Sequence, residues 1–405
     1  MSSRLPNDIL LHIARFRSAH PEYYDYNPMD SPHPLDVPPY SHPEDWCARE
    51  LLLASTSLYC FTSLYSWQCV MVISVRALPS IQAAVHRETL YPGEARLPRD
   101  IIRCLDLSFN LKFAANEPYD LVSALPNLDT LVLSHGFPTM LSFCEPRSSV
   151  EFALPQPLPT PFPSSLRAVL FASTFYGVTM EDITLLSLMV PNLERLQVAK
   201  FNAPENTSVY QTTASYLLTS LKWLAVGSFE RLAIHVDDPQ SMSLALLLDL
   251  LSAGSSMVSL RRLDILTDVQ VPERFLNSHG SSITCISITG AHHECLQLTN
   301  TFTRLDALHH LIILADPTLS PLPRSYNRSL SRISIFRPRS PPNLHMAHAD
   351  VVAQMNEIVT EIIAMSAACP SLKQIKFVPP HRPFPDDWET LQQRRILPTQ
   401  ISLCF

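Results

Sequence analysis

From about residue 97 onward, apolar residues recur in one six-residue pattern: apolar, two variable residues, apolar, one variable residue, apolar. Ten occurrences follow one another, with starts 22 to 42 residues apart. They occupy 102–107, 128–133, 166–171, 193–198, 221–226, 260–265, 283–288, 308–313, 330–335 and 372–377. Successive side chains of a strand point to opposite faces, so the last two apolar positions predict a short strand with an inward face.

The intervals between these motifs contain segments that predict helices, namely 180–189, 242–251 and 350–368. No strand with one helix can enclose a core alone, so neighbouring units must stack. The ordered repetition therefore predicts an α/β fold over 97–405, an irregular solenoid whose parallel sheet is backed by helices. The alternative is an ordinary α/β domain whose strands are rich in leucine.

The first 75 residues follow other patterns. Apolar residues at helical spacing predict a short helix over 1–16, and a Leu- and Ala-rich stretch predicts another over 45–64. Between them, seven prolines predict an extended insertion over 17–45. The apolar run 67–75 is typical of either a buried strand or a short helix. We therefore divide the chain into a helical region at 1–75, a connector at 76–96 and the solenoid.

The composition excludes several classes of protein. Seven glycines stand against 36 prolines, and no two glycines are closer than ten residues, so no loop resembles a phosphate-cradling glycine motif. The nine cysteines never form C-x-x-C, which favours free thiols in a reducing compartment. Charged residues interrupt the first twenty positions, and the longest strongly apolar run is 244–251. We expect a cytoplasmic or nuclear protein without a membrane or nucleic-acid partner.

The repeated motif resembles the leucine-rich repeat, whose consensus continues to an Asn or Cys after the last apolar position. Only the first motif completes it, with Asn110, and the other nine have different residues there. The likeness is therefore to degenerate leucine-rich repeats, which implies a solenoid that mostly lacks a buried asparagine ladder.

The N-terminus resembles an F-box in three stretches: LPNDILLHI at 5–13, LLLASTSLYCF at 51–61 and LYSWQCV at 64–70. This resemblance implies docking on a Skp-family adaptor and, through it, on the cullin of an SCF-type ubiquitin ligase. The residues it assigns to adaptor binding are Leu5, Pro6, Ile9, Leu10, Ile13, Leu58 and Trp67. Alternatively, residues 1–75 are a helical cap that covers one end of the solenoid.

The variable positions of the motifs are expected to face the concave side of the solenoid. Basic residues outnumber acidic ones there, although the whole chain has a net charge of −7. Such a surface would attract an acidic or phosphorylated segment of a protein target. The residues predicted to bind the target are Arg195, Trp223, Arg262, Arg332 and Lys376. The alternative is that many of these charges are merely solvated.

Catalytic motifs are missing from the sequence, which contains no G-x-S-x-G, no H-E-x-x-H and no kinase signature. The adjacent histidines in HHEC (292–295) and at 309–310 would point to opposite faces of a strand, so we expect no metal site. We expect no cofactor and no intrinsic catalysis. The predicted function is a non-catalytic substrate receptor of a ubiquitin ligase. The alternatives are an interaction scaffold with no ligase link and, third, an enzyme with a dispersed active site.

Overall fold

The computed structural model describes fourteen segments of the chain. These are 67–72, 75–91, 96–107, 117–133, 161–173, 177–203, 218–228, 239–252, 257–267, 269–289, 301–314, 327–336, 369–378 and 402–404. They group into two compact units, with the division between Gln197 and Val198. The predicted helices at 1–16, 45–64 and 350–368, the insertion 17–45 and Asn110 lie outside the described residues.

Five strands lie side by side in sequence order in the first unit. They are β1 (Cys69–Met71), β2 (Cys104–Leu107), β3 (Thr130–Leu133), β4 (Ala168–Phe171) and β5 (Arg195–Val198). The pairs β1–β2, β2–β3 and β3–β4 are parallel. β1 settles the choice left open for 67–75, because this run contains a strand.

The second unit repeats this arrangement, again in sequence order. Its strands are β6 (Trp223–Val226), β7 (Arg262–Ile265), β8 (Cys285–Thr289), β9 (His310–Leu314), β10 (Arg332–Phe336), β11 (Gln374–Val378) and β12 (Ser402–Cys404). Every neighbouring pair is parallel and in register.

Each of the ten predicted motifs coincides with one strand from β2 to β11. The strand begins two residues after the first apolar position, and the other two apolar positions lie within it. Leu105, Leu131, Val169 and Leu263, for example, have no exposed surface. An α/β fold with an all-parallel open sheet is thus confirmed, and its sequential strand order is compatible with a solenoid-like arrangement within each unit.

A tight turn leads into most of these strands. In eight motifs the N–H of the first apolar residue donates to the carbonyl three residues earlier, at 2.9–3.3 Å. In the motif at 330–335 the acceptor is instead the side-chain Oδ1 of Asn327, at 3.1 Å from the N–H of Leu330. Proline at the second position of such a turn fits its fixed φ, which explains Pro126, Pro191 and Pro370.

Six α-helices have both ends among the described residues, and residues 301–303 are also helical. They are α1 (Leu78–Val85), α2 (Pro98–Ile101), α3 (Glu117–Ser123), α4 (Met180–Met189), α5 (Pro239–Ser252) and α6 (Glu273–His279). The helix predicted at 180–189 is confirmed as α4, and that at 242–251 lies within α5. α1 falls inside the stretch predicted as a connector. Within the described part of the chain, none of these helices has the length and hydrophobicity that crossing a membrane requires.

Local chemistry fixes where α4 begins. The hydroxyl of Thr179 accepts from the N–H of Asp182 at 3.2 Å, and the N–H of Thr179 donates to the Asp182 carboxylate at 2.8 Å. This capping box satisfies two backbone donors that a helix start leaves exposed. The apolar residues that follow, such as Ile183 and Leu186, are fully buried.

One glycine is required by the backbone itself. Gly227, directly after β6, has a φ of +91°, in the left-handed region that side chains disfavour. A Cβ atom there would also lie 2.5 Å from Cγ2 of Thr267, which follows β7. The end of β6 can therefore pack beside its neighbour only because residue 227 has no side chain.

Candidate functional site

In the second unit, the third and fifth residues of each motif lie on the face of the sheet opposite the leucine-lined one. We call this the second face. Strand register aligns the third residues in one row: Trp223, Arg262, Cys285, His310, Arg332 and Gln374. The fifth residues form a second row: Ala225, Asp264, Ser287, Ile312, Ser334 and Lys376. Neighbouring strands are about 4.8 Å apart, so side chains within a row are in reach of one another.

A buried charged cluster occupies the first two strands of this face. Arg262 Nε donates to Asp264 Oδ1 at 2.9 Å, and Arg262 Nη2 to Asp264 Oδ2 at 3.2 Å. Trp223 Nε1 donates to the same Oδ2 at 2.8 Å. The guanidinium carbon lies 3.8 Å from the centroid of the Trp223 ring, within the range of a cation–π contact.

This cluster is sealed from solvent, since Arg262 and Asp264 are 0% exposed and Trp223 is 1% exposed. Two residues apart on one strand, Arg262 and Asp264 point to the same face, which lets the guanidinium meet the carboxylate with two hydrogen bonds. A buried ion is tolerated only when it is paired and hydrogen-bonded, and this geometry meets that condition.

His310 lies in the same row, one strand beyond Cys285. It is buried, and its Nε2 is 2.8 Å from the hydroxyl oxygen of Ser334. Burial is the largest cause that lowers the pKa of His310, from 6.5 to about 3. The positive charges of Arg262, Arg332 and Lys376 contribute to the same lowering. The ring is therefore neutral at physiological pH, and it lies within electrostatic reach of three cations.

Arg332 and Lys376 are half-buried at the side of His310 away from the Arg262 cluster. At the third and fifth motif positions of β8 to β11 the sequence has no acidic residue. The Asp264 carboxylate is two strands away from β9 and is bonded to Arg262 and Trp223. The third and fifth residues of β8 to β11 therefore have a net positive charge.

A further row is formed by the second residues of the motifs, which we call the lead-in row because they directly precede the strands. In the second unit it contains Lys222, Arg261, Thr284, His309, Ser331 and Lys373. From Arg261 onward, the backbone N–H of each member donates to the carbonyl of the member before it, at 2.8–3.0 Å. Its basic and histidine members are all exposed, and it contains no acidic residue.

The lead-in row of the first unit differs in charge. It contains Arg103, Asp129, Arg167 and Glu194, so that basic and acidic residues alternate on neighbouring strands. Arg167 Nη1 lies 3.6 Å from Glu194 Oε1. Asp129 forms an ion pair with Arg195, the first residue of β5. Three of the four charges of this row are thus in ion pairs within the unit.

The structure separates the residues predicted to bind a target. Trp223 and Arg262 contact each other inside the second unit, while Arg332 and Lys376 are partly accessible near His310. Arg195 belongs to the first unit and is paired with Asp129. Of the residues predicted to bind the adaptor, Trp67 is half-buried just before β1, and the other six lie outside the described residues. That these residues bind partners stays a prediction.

Sequence reasoning missed the partnership of Trp223 with Asp264 and the contact of His310 with Ser334. A signal for both was present, because aligning the motifs on their apolar positions places these residues in neighbouring rows. The two histidines at 309–310 do diverge as expected for a strand, since His309 is exposed and His310 is buried. In the described part of the chain no three metal-type ligands gather, and HHEC (292–295) lies outside that part.

Comparison with known proteins finds no family model that matches the chain and no curated protein that matches it.

Proposed function

We propose that this chain is a non-catalytic receptor that holds a protein target on its repeat sheet and presents it to an SCF-type ubiquitin ligase. The observation on which the proposal rests is the exposed lead-in row of the second unit. It contains three basic residues, one histidine and no acid across six consecutive strands. A cationic row of this kind attracts an acidic segment and sets its register along the strands.

The scale of the row suits a peptide segment. Six strands about 4.8 Å apart extend roughly 24 Å, which an extended chain of about seven residues covers. Exposed charges of this kind raise the rate of association and its selectivity more than the final affinity. Tight binding would need further contacts, for which the half-buried Arg332 and Lys376 are candidates.

The ligase half of the proposal rests on the F-box-like stretches at 5–13, 51–61 and 64–70. The last of them runs into β1, and the carbonyl of Gln68 accepts from the N–H groups of Arg103 and Cys104, both at 2.9 Å. The end of the F-box-like region is thus hydrogen-bonded to the first motif strand. Such continuity would hold an adaptor at a fixed position relative to the first unit.

The mechanism would be proximity. A receptor that binds adaptor and target together raises the effective concentration of target lysines near the conjugating enzyme. No chemical step then needs a group from this chain. A leucine-rich interaction scaffold would use the same lead-in row without the ligase.

Co-expression with a Skp-family adaptor tests the ligase half. We expect the wild-type chain to co-purify with the adaptor, and the variant L5A/P6A/I9A to lose it. The matched control is L90A/Y91A, which truncates two exposed apolar residues of the described structure and should retain the adaptor. Failure of the wild-type chain to co-purify would reject the ligase link and leave the scaffold.

A further inference from the structure

Four polar side chains of β9, β10 and β11 form a compact block, which we call the β10 block: His310, Arg332, Ser334 and Lys376. Register places His310 beside Arg332 in one row and Ser334 beside Lys376 in the next. The two rows are joined by the 2.8 Å contact between His310 Nε2 and Ser334 Oγ. All four residues therefore lie on one face within three adjacent strands.

Among the described strands β8 to β11, no acidic residue shares the third and fifth motif positions with the β10 block. Arg332 and Lys376 are close enough to His310 to act on its ionisation, and the imidazole itself is buried. Two positive charges and two neutral polar groups thus share a partly buried location, where a charge attracts an opposite charge more strongly than in open solvent.

Shape and accessibility also distinguish the two layers of the block. His310 is 6% exposed and Ser334 is 0% exposed, so they form the floor. Arg332 and Lys376 are half-buried, so solvent reaches them. An incoming anion would meet the guanidinium and ammonium groups first, with the polar floor behind them.

We propose that the β10 block binds a phosphate monoester on a side chain of the protein target. Arginine can bind two phosphate oxygens at once, and lysine supplies a point charge for a third. A carboxylate has one charge and two oxygens, which Arg332 alone would satisfy. A phosphate monoester has nearly two charges and three oxygens and would use both Arg332 and Lys376. The inference rests on the proposed function only in the assumption that the phosphate is attached to a protein target.

The test uses the full chain and a degenerate peptide library with one fixed phosphoserine, against the same library with serine. By fluorescence anisotropy we expect the phosphorylated library to bind at least about tenfold more tightly. Inorganic phosphate should compete with it. R332Q and K376Q should each reduce the preference about tenfold, and R332K, which retains the charge but loses the bidentate geometry, should reduce it less.

The matched control is R274Q, which removes one positive charge from the exposed surface of α6 and should leave the preference unchanged. Thermal unfolding by circular dichroism checks that each variant is folded. Equal binding of the two libraries overturns the inference, as does a preference that R332Q and K376Q do not change. Binding of inorganic phosphate alone, without a library preference, also overturns it, because the site would then take a free anion.

These measurements contain no adaptor, so they fail independently of the co-purification test. A chain that retains the adaptor but shows no phosphoserine preference keeps the proposed function and loses this inference. A chain with the preference but without the adaptor keeps the phosphate site and is a scaffold.

Discussion

Along the lead-in row of the first unit, basic and acidic residues alternate, whereas the row of the second unit has only basic and neutral residues. Both rows have the same backbone geometry, with each N–H bonded to the preceding carbonyl at 2.8–3.0 Å. In the first row, Arg167 Nη1 lies 3.6 Å from Glu194 Oε1. The second row contains no acidic residue. The motif therefore determines the backbone conformation at this position but not the charge of the side chain there.

One ion pair from each unit shows a difference in depth. The Asp129–Arg195 pair of the first unit has side chains 40% and 20% exposed, while Arg262 and Asp264 of the second are at 0%. Solvent screens the first pair and not the second. The second unit has an exposed pair as well, Arg304 and Glu273 at 3.2 Å, so the buried pair and the lead-in row without acidic residues are what set it apart. For this reason the proposed function assigns the acidic segment of a target to the second unit.

The largest expected effect tests this difference in depth. D264A should lower the free energy of unfolding by about 3–5 kcal/mol, because it leaves the buried Arg262 charge without a partner. D129A, the same substitution in the exposed pair, should cost less than about 1 kcal/mol. Urea unfolding followed by tryptophan fluorescence and circular dichroism measures both.

A double variant separates charge from packing. R262M/D264L removes the buried positive charge together with its partner. Its free energy of unfolding should therefore be higher than that of D264A and should recover most of the difference from the wild-type chain. The Trp223 N–H would still lack its acceptor, at a cost of about 1–3 kcal/mol. Similar losses for D264A and D129A would show that depth does not distinguish the two pairs.

The next effect concerns His310, which has no buried histidine counterpart on the second face of the first unit's described strands. Its pKa is lowered to about 3 in the folded chain, against 6.5 when unfolded. Between these values the unfolded chain binds a proton that the folded chain does not, so stability is full above 6.5 and falls as the pH decreases. The loss approaches about 1.4 kcal/mol per pH unit.

Urea unfolding at pH 7.5 and pH 5.5 tests this. The wild-type chain should lose about 1.4 kcal/mol more than H310Q over that interval, because glutamine does not titrate. H309Q, at the exposed neighbouring position, checks that removal of a histidine does not by itself flatten the pH dependence. Equal pH dependence for the wild-type chain and H310Q would contradict the assignment.

Strand positions could be predicted because they depend on a pattern that is local in sequence. Two apolar side chains at alternating positions, introduced by a turn, suffice to define each strand from β2 to β11. The pattern does not predict β12, because Gln400 stands two residues before Ser402–Cys404, where the other motif strands have an apolar residue. Local patterning thus determined the elements wherever the complete motif was present.

The candidate site could be predicted only in part, because its contacts join residues far apart in the chain. Trp223 and Asp264 are 41 residues apart, and the sequence alone places both on an outward face. Their burial depends on what packs against that face. The periodicity of one strand carries no information about that packing. The basic character of the variable positions was evident from the sequence, but not which cations are exposed and which are paired.

The smallest expected effect concerns a feature that the two units share, the polar side chains that join successive lead-in turns. Ser165 Oγ lies 2.7 Å from the carbonyl oxygen of Pro126 in the first unit, and Ser329 Oγ lies 2.7 Å from that of Asp306 in the second. S165A and S329A should each cost about 1 kcal/mol in urea unfolding, whereas S164A, at an exposed neighbour, should cost less than about 0.5 kcal/mol. If S165A and S329A lower the free energy of unfolding by similar amounts, the two units differ in charge but not in how their turns are stabilised. A loss for only one variant would show that the stabilisation of the turns differs as well.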